Sequence, residues 1–393
     1  MKINRWICDF GNSINQHLID GYYFEMPSSI YEITEKEARG IFAEAVDRET
    51  LLQQLVIRVT IDGKNRFFKV GEKAKGDVLG NAHIEKLHDK TESLTVWVTW
   101  LAGAVFYHSY QHPDKGDDIV EISYFLTMLP TWLVKKADKF TDMLSKMADR
   151  FKGNSTEVEL LTPNFERTLT IEVEDSVCRI EGETARFALQ YDLELNPLES
   201  AKKFEQAIVV IDDIGGQTQD LSKLRKGLKR PESADDFASF TDQSYLKTLE
   251  KLRTTKLMTH FNDVRSLESF ILENISKRCF IYLDPTTKKE TDFTEEIDQT
   301  LCEFVKIAMQ KALTTFHFLP GVPVYFVHIG GVASALQEYI KEYLNEELGE
   351  KVAGEYHLFP ADSRKLNLYG GEIVAKSELK KREGEPRNEE TAV

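Results

Sequence analysis

The residues best suited to chemistry lie in the sequence AIVVIDDIGGQTQDL, residues 207 to 221. An apolar, mostly β-branched run predicts a buried strand, and acids, paired glycines and hydroxyl or amide side chains follow it. Asp213 stands where the strand ends, in a position to hold a hydrated metal ion. Gly215 and Gly216 lack a Cβ, so we expect positive φ there and backbone N–H groups close to phosphate oxygens. Thr218 could donate its hydroxyl to a phosphate.

Taken alone, this stretch fits an ordinary β-hairpin equally well, and a second stretch favours the phosphate interpretation. The sequence RWICDFGNS, residues 5 to 13, repeats the plan with a short apolar strand, Asp9, one further residue, Gly11, and then Asn12 and Ser13. Two acid and glycine hairpins, one opening each half of the chain, suggest two related domains that bind a polyphosphate from opposite sides.

A third glycine pair completes the pattern in VYFVHIGGVAS, residues 324 to 334. A hydrophobic strand leads into Gly330 and Gly331, and a helix is predicted to begin near Ser334. Backbone without side chains at a helix N-terminus can lie flat against a base or an α-phosphate. The sequence therefore predicts three backbone segments that contact one nucleotide.

The elements that carry these motifs can be predicted from hydrophobic patterning. Residues 91 to 112 form an apolar helix, and the strands on either side of Asp62 and Gly63 form a hairpin. Residues 117 to 130 are predicted as one strand that ends at Pro130. Further predictions are listed here: an amphipathic helix over 132 to 153, β-structure over 166 to 180 and 186 to 195, and a surface loop over 222 to 240.

With these motifs in place, the chain resembles the actin, sugar kinase and heat-shock chaperone superfamily, and within it the plasmid-segregation actins of the ParM (StbA) group. The order and spacing of DFGNS, DIGGQTQD and IGGVAS match the family's first phosphate, second phosphate and adenosine motifs. NPLES (196 to 200) and LNLYGGEIV (366 to 374) occupy the expected connecting and late positions. One position departs from the pattern, because Gln16 stands where the family usually has a lysine seven residues after the first acid.

The resemblance implies an α/β actin-like fold with two related ribonuclease-H-like α/β domains, a nucleotide cleft between them and a small inserted β-rich lobe. The expected boundaries are listed here: domain I at 1–197 with the lobe at about 21–80, domain II at 198–365, and a C-terminal segment at 366–393 that returns to domain I with a charged tail.

The resemblance also implies that the protein hydrolyses ATP or GTP with Mg²⁺ and forms filaments. Asp9 and Asp213 are expected to hold Mg²⁺ through its waters, while the backbone of both hairpins, including Gln217, holds the phosphates. Glu199 is the candidate that orients the attacking water. The alternative that Glu199 only caps a helix remains open.

Charge and composition limit the partners of the 393-residue chain. Its net charge of −15 opposes direct binding to DNA, which depends on Lys and Arg at the phosphates. Any contact with DNA is therefore expected to go through another protein, and the resemblance implies a ParR-type adaptor bound to a plasmid centromere. The sequence shows no apolar run of roughly 20 residues and no signal-peptide core, so a cytoplasmic protein without a membrane segment is expected.

Competing functions are only partly excluded. The Asp-Phe-Gly sequence at 9 to 11 is not that of a protein kinase, because nothing precedes it that could supply the glycine-rich loop and lysine strand. P-loop and dinucleotide-binding fingerprints are absent from the sequence. A non-polymerising regulatory ATPase and a small-molecule kinase of the same superfamily remain as alternatives to a filament protein.

Overall fold

The structure is a computed structural model that describes residues 1–75, 89–137, 139–153 and 155–384. The chain divides into two compact units. The first comprises Met1–Ile180, Tyr191–Pro197 and the segment that starts at Asn367, and the second comprises Glu181–Gln190 and Leu198–Leu366.

The strands of the first unit are β1 (Lys2–Ile3), β2 (Trp6–Phe10), β3 (Ile14–Ile19), β4 (Tyr22–Pro27), β5 (Ile30–Ile33), β6 (Val56–Ile61), β7 (Lys64–Val70), β8 (Asp118–Ile122), β9 (Phe125–Leu129), β10 (Ser155–Leu160), β11 (Arg167–Val173) and β12 (Ser176–Ile180). Those of the second unit are β13 (Ile208–Ile214), β14 (Gln219–Leu224), β15 (Phe237–Phe240), β16 (Ile281–Leu283), β17 (Glu290–Asp292), β18 (Val324–Ile329) and β19 (His357–Leu358).

The α-helices are α1 (Glu35–Gly40), α2 (Glu72–Lys75), α3 (Leu94–Gln111), α4 (Thr131–Val134), α5 (Phe140–Asp149), α6 (Arg186–Gln190), α7 (Tyr245–Leu252), α8 (Val264–Asn274), α9 (Thr294–Thr314), α10 (Gly331–Ala335), α11 (Gln337–Leu348), α12 (Glu350–Tyr356) and α13 (Leu366–Gly384). Short 3₁₀ turns include Arg48–Gln53 and Glu199–Phe204, and a π-helical turn, Arg253–Leu257, follows α7.

Two sheets form the first unit over the residues that the structure describes. One has the strand order β1-β8-β11-β10-β6-β7-β5, and the other has the order β12-β9-β2-β3-β4. The second sheet carries the first acid and glycine hairpin, in which β2 pairs antiparallel with β3 and parallel with β9. The strands predicted for an inserted lobe over 21–80 are shared between these two sheets.

Helix α3 packs behind the first hairpin, as predicted for the apolar sequence at 91 to 112. Most of its residues are buried, and Trp100 stacks on Trp6 of β2 with ring centroids 5.9 Å apart. A Cβ on Gly103 would approach Trp6 Cζ2 and His17 Cε1 to 3.3 and 3.2 Å, so the helix passes very close to the hairpin. Among the helices in the described ranges, none is long and apolar enough to cross a membrane.

Several predictions in the first unit need correction. Residues 117 to 130 form two strands in different sheets, β8 and β9, because the chain turns between Ile122 and Phe125. The single helix predicted over 132 to 153 is divided into α4 and α5. The hairpin at Asp62 and Gly63 is confirmed, and both residues have positive φ, as a tight two-residue turn requires.

The second unit is built on a sheet of order β15-β14-β13-β18-β19, with a separate β16-β17 ribbon. Strand β13 pairs antiparallel with β14 and parallel with β18. Val210 and Phe326 share a hydrophobic cluster with Ala312 of α9, while Val209 and Val327 belong to a different cluster. The central strands are therefore buried on both faces, which explains their continuous apolar sequence.

The boundary predicted at residue 197 does not account for a short earlier segment that belongs to the second unit. Residues Glu181–Gln190 belong to the second unit, since Ala185 is buried in one hydrophobic cluster with Phe204, Val209 and Leu228. Within this segment, 186 to 190 form helix α6, so the β-structure predicted over 186 to 195 is wrong.

Two further predictions concern the end of the second hairpin and of the chain. The loop predicted over 222 to 240 is wrong in part, because β14 continues to Leu224 and β15 pairs with it. At the C-terminus, LNLYGGEIV lies in α13, and residues 385 to 393 of the predicted charged tail lie outside the described residues.

Candidate functional site

The second hairpin has the strand, turn and strand that its sequence predicts. Asp213 is the penultimate residue of β13 and lies opposite Asp220 of β14. The loop between the strands closes with a hydrogen bond of 2.9 Å from Gly215 N to Thr218 O. The expected positive φ at Gly215 and Gly216 is wrong, because neither is among the glycines with positive φ.

A left-handed backbone is found instead at Gly330, whose φ is 94°. A Cβ at this position would lie 2.5 Å from Asp213 Oδ1 and 2.7 Å from Ile214 O. Both the φ value and the close approach therefore require glycine. The structure brings Asp213 of the second hairpin and Gly330 of the third motif close together.

The remaining residues of the third motif form a short helix. Helix α10 begins at Gly331 and not near Ser334, because Ser334 N already donates to Gly330 O at 3.1 Å. A Cβ on Gly331 would meet nothing within 4 Å. The backbone at Gly331 is therefore open on the side where a side chain would project, which leaves room for a ligand.

The loop of the second hairpin is also tied to helix α7. Gly216 O accepts a hydrogen bond of 2.9 Å from Leu246 N in the first turn of that helix. Gln217, the next loop residue, is buried. Sequence reasoning did not find this contact, because Leu246 is distant in the chain and carries no polar side chain.

In the first hairpin, Asp9 lies on β2 directly opposite Gln16 of β3. Gln16, at the position where the resemblance predicts a lysine, is buried with 6% exposure. The loop between the strands contains Gly11, Asn12 and Ser13, and a Cβ on Gly11 would lie only 2.3 Å from Ile14 O. The tight loop therefore requires glycine at residue 11.

Ser28 supports this loop from the neighbouring strand connection. Its hydroxyl lies within hydrogen-bond distance of Gly11 O and of Asn15 Oδ1, and its backbone N donates to Ser13 O at 2.9 Å. Asn15 in turn donates to Thr99 Oγ1 of α3 at 2.9 Å. These bonds fix the carbonyl groups of the loop toward the protein.

Behind the first hairpin lies a buried imidazole, His17. Trp6 Nε1 donates to His17 Nδ1 at 3.2 Å, and Cys8 Sγ lies 3.4 Å from the same nitrogen. Burial lowers the pKa of His17 to about 3, so the ring is neutral at pH 7. Burial, together with the negative charge of Asp9, raises the pKa of the Cys8 thiol. This group therefore supports the hairpin without adding positive charge.

Glu199, the candidate for orienting water, is the first residue of a 3₁₀ turn that follows Pro197. Its carboxylate is 83% exposed and forms an ion pair of 2.8 Å with Lys202 in the next turn. It belongs to the second unit. Glu199 thus contacts a residue of its own turn, whereas Asp213 approaches Gly330 of a distant segment.

A buried polar chain that sequence reasoning missed lies beside Asp213. Asp212 accepts a hydrogen bond of 2.8 Å from Gln219 Nε2, and its other oxygen lies 2.8 Å from His328 Nδ1. His328 Nε2 lies 3.0 Å from His357 Nδ1. The sequence signal that could have revealed this chain was the presence of Asp212 and His328 within the largely apolar strands β13 and β18.

The donor set fits a hydrated Mg²⁺ better than a fully enclosed metal. The described residues contain no group of three or more His, Cys, Asp or Glu side chains that could hold a metal ion. Mg²⁺ is commonly bound by one or two carboxylates together with substrate phosphates, and it keeps several waters. Asp213, a carboxylate beside a glycine with bare backbone, is a donor of this kind.

Comparisons with known proteins identify the family. A family profile described as the Alp7A C-terminal domain matches residues 208–363. The crystal structure of the actin-like protein Alp7A matches this chain with 39% sequence identity and a TM-score of 0.88, covering 98% of each chain. The chain belongs to the Alp7A family of actin-like proteins. The sequence-based recognition of a ParM-like actin and of an actin-like α/β fold is confirmed.

More distant structures share the fold at low identity. A ParM from a 15-stranded filament of Clostridium botulinum matches with 14% identity and a TM-score of 0.66, covering 95% of this chain and 99% of that chain. Bacillus thuringiensis ParM with AMPPNP matches with 12% identity and a TM-score of 0.60, covering 97% and 99%. No curated protein sequence matches the chain.

Proposed function

We propose that this Alp7A-family protein binds ATP or GTP with Mg²⁺, hydrolyses it and polymerises into filaments that segregate plasmids. The observation that carries the proposal is the approach of Asp213 Oδ1 to the bare backbone of Gly330. This arrangement joins the second and third predicted nucleotide motifs in one unit. Membership of the Alp7A family and the actin-like fold support it.

In this proposal the phosphates are held mainly by backbone. Hairpin residues 215 to 218 supply N–H groups and the Thr218 hydroxyl from the second unit, and residues 11 to 13 supply them from the first. Gly330, Gly331 and Ser334 lie against the nucleoside or the α-phosphate. Such segments suit a nucleotide because N–H groups without a side chain beside them can approach oxygens closely.

Asp9 and Asp213 would hold Mg²⁺ through its waters, and the bound ion would neutralise negative charge on the phosphates. The protein itself would contribute two carboxylates, Asp9 and Asp213, to the ion. Gln16 adds no charge opposite Asp9, so the proposal assigns no cationic phosphate contact to this position. Phosphoryl transfer then depends on positioning and electrostatics.

Glu199 orients the attacking water in this proposal. Its position after Pro197 in the NPLES sequence corresponds to the connecting position that the family resemblance assigns to this role. The exposed carboxylate is available to water, and its ion pair with Lys202 is of a kind that costs little to break. If Glu199 has no effect, the next candidates are Asp220, which lies opposite Asp213, and Gln217 in the hairpin loop.

The filament acts in the cytoplasm and reaches DNA through a second protein. With a net charge of −15, the surface lacks the excess of basic side chains that binding to bare DNA requires. A ParR-type adaptor on a plasmid centromere would join the two, so that polymer growth separates plasmid copies. Tight, salt-sensitive binding of filaments to DNA without an adaptor would contradict this part.

The proposed function is tested by pelleting purified protein with ATP, GTP or a nonhydrolysable analogue while phosphate release is measured. We expect pelleting that depends on nucleotide, and hydrolysis that Asp213→Ala abolishes. Phosphate release without pelleting would favour a regulatory ATPase. Turnover of Asp213→Ala at the wild-type rate would show that the assignment of the site is wrong.

A further inference from the structure

The buried chain of Gln219, Asp212, His328 and His357 lies one residue from the proposed site. Asp212 and His328 are both 0% exposed. They are also direct partners in the parallel pairing of β13 and β18, and the next pair along the strands is Asp213 with Ile329. The buried polar chain therefore joins β13 and β18 just before Asp213 and Gly330.

The carboxylate of Asp212 fixes the direction of its two hydrogen bonds. A carboxylate only accepts, so Gln219 Nε2–H and His328 Nδ1–H donate to the two oxygens of Asp212. His328 Nε2 lies 3.0 Å from His357 Nδ1, so a proton on one of these two nitrogens joins the rings. Gln219 Nε2 also donates to Ala308 O of α9 at 3.0 Å.

Aromatic rings hold the imidazoles in place. His357 stacks on Phe326 with centroids 4.9 Å apart and planes 4° apart, and His328 packs on Phe359 with centroids 4.9 Å apart. Burial and the neighbouring His328 lower the pKa of His357 to about 3, which keeps this ring neutral at pH 7. The rings therefore cannot turn freely away from Asp212.

Strand geometry separates the two neighbouring acids. Successive side chains of a strand point to opposite faces, so Asp212 faces the α9 side of the sheet while Asp213 faces the other side. Apolar replacements of buried charged pairs are often neutral or stabilising, so stability alone is a weak reason for an acid at this place. Hydrogen bonds do, however, fix the register and direction of two strands more narrowly than apolar contacts.

We infer that His328 and His357 are positioning residues: through Asp212 they fix the ends of β13 and β18 so that Asp213 stays over Gly330. This inference rests on the proposed function, because it assigns the buried polar chain of Gln219, Asp212, His328 and His357 a role in the hydrolytic step. Without the hydrogen bonds of the buried polar chain, the ends of β13 and β18 can shift. The shift lowers turnover, while the loops that bind nucleotide keep their structure.

The experiment compares four variants by kcat and by nucleotide Kd. Asp212→Leu combined with His328→Leu removes the polar pair without leaving a buried charge, and we expect kcat to fall ~10- to 100-fold with little change in Kd. His328→Asn retains a donor near the place of Nδ1, so it should recover most of the kcat that His328→Leu loses. Phe316→Leu changes the apolar packing on the α9 side of the sheet without removing a hydrogen bond of the buried polar chain or the rings stacked on its imidazoles, and it should keep kcat within about twofold of wild type.

A readout independent of turnover is the ¹⁵N NMR spectrum of histidine-labelled protein. We expect His328 to carry a proton on Nδ1, where it faces Asp212, and the signal of His357 to change in His328→Leu. A His328 without a proton on Nδ1 would overturn the inference.

Two outcomes separate this inference from the proposed function. If the wild-type protein does not turn over nucleotide, the proposed function is contradicted, and with it the role of the buried polar chain in hydrolysis. A wild-type protein that turns over, with a double leucine variant of equal kcat, would overturn only the positioning role. Equal losses of kcat in His328→Asn and His328→Leu would also count against it.

Discussion

Asp213 Oδ1 occupies the space that a side chain on residue 330 would need, since a Cβ there would lie 2.5 Å from it. The two residues are separated by more than a hundred positions in sequence and are joined by adjacent parallel strands. An acid at one strand end and a glycine just past the other thus form one surface. Its carboxylate and bare backbone are complementary to a cation and to a phosphate.

Gly330→Ala should damage this surface more than any other small change in the third motif. The φ of 94° is strained for alanine, and the new methyl group would meet Asp213 Oδ1 and Ile214 O. We expect loss of nucleotide binding by ~10-fold or more, measured by titration of a fluorescent nucleotide. Gly354→Ala is the control, because Gly354 lies in α12 outside the proposed site and a Cβ there meets nothing within 4 Å, and binding close to wild type is expected.

Asp213→Asn tests charge separately from shape. Asparagine fills the same space above Gly330 but carries no charge to attract a hydrated cation. Phosphate release should fall ~100-fold or more while the thermal midpoint stays close to wild type. Asp235→Asn, at an exposed position of the same unit, should leave phosphate release unchanged. A fall of similar size in both variants would argue against a specific role for Asp213.

Glu199→Ala should slow hydrolysis without weakening nucleotide binding. Because the carboxylate is exposed and its only described ion pair is with Lys202, its removal leaves no buried partner unsatisfied. We expect phosphate release to fall ~10-fold or more and filaments to persist longer after nucleotide is added, as followed by light scattering. Lys202→Ala removes the same ion pair but keeps the carboxylate, and it should hydrolyse at the wild-type rate.

The buried His17 should make stability depend on pH. Its pKa is lowered to about 3 in the folded protein, against a normal value of about 6.5. Below about pH 6.5 the unfolded chain therefore binds a proton that the folded chain does not, and the free energy of unfolding falls as pH falls. We expect His17→Leu to reduce this loss between pH 6.5 and 5 by roughly 1 to 2 kcal/mol, measured by urea unfolding.

The absolute stability of His17→Leu is not the relevant measurement. This variant leaves Trp6 Nε1 without its acceptor, which costs about 1 to 3 kcal/mol at every pH. Only the difference between the two pH values isolates the histidine. His317→Gln, at an exposed position, is the control and should keep the pH dependence of the wild type. An unchanged pH dependence in His17→Leu would mean that His17 does not resist protonation in the folded state.

Sequence patterns predicted the local part of the site and missed the part that depends on tertiary contacts. The hairpin at Asp213 was predictable because apolar strand, acid and glycines are adjacent in the chain. The position of positive φ was not, since it depends on how β18 leaves the sheet, and it falls at Gly330. His328 could not be assigned a partner until β13 and β18 were known to be neighbours.

The wrong element predictions have similar causes. Residues 186 to 190 alternate well enough for a strand, but they fold as α6 against Phe204 because Ala185 is buried in that cluster. Phe237–Phe240 has no strong strand signal in its sequence, and it forms β15 because it pairs with the edge of β14 that β13 leaves free. In both segments tertiary packing overrides local preference.

The bond between Leu246 N and Gly216 O makes one backbone amide a reporter of the phosphate loop. Leu246 is in the first turn of α7, where amides have no acceptor within the helix. Its protection from hydrogen exchange therefore comes from the loop and not from helix formation. Deuterium uptake at this single position would rise whenever the loop moves away, even if α7 stays fully helical, and would record loop opening in the unassembled subunit.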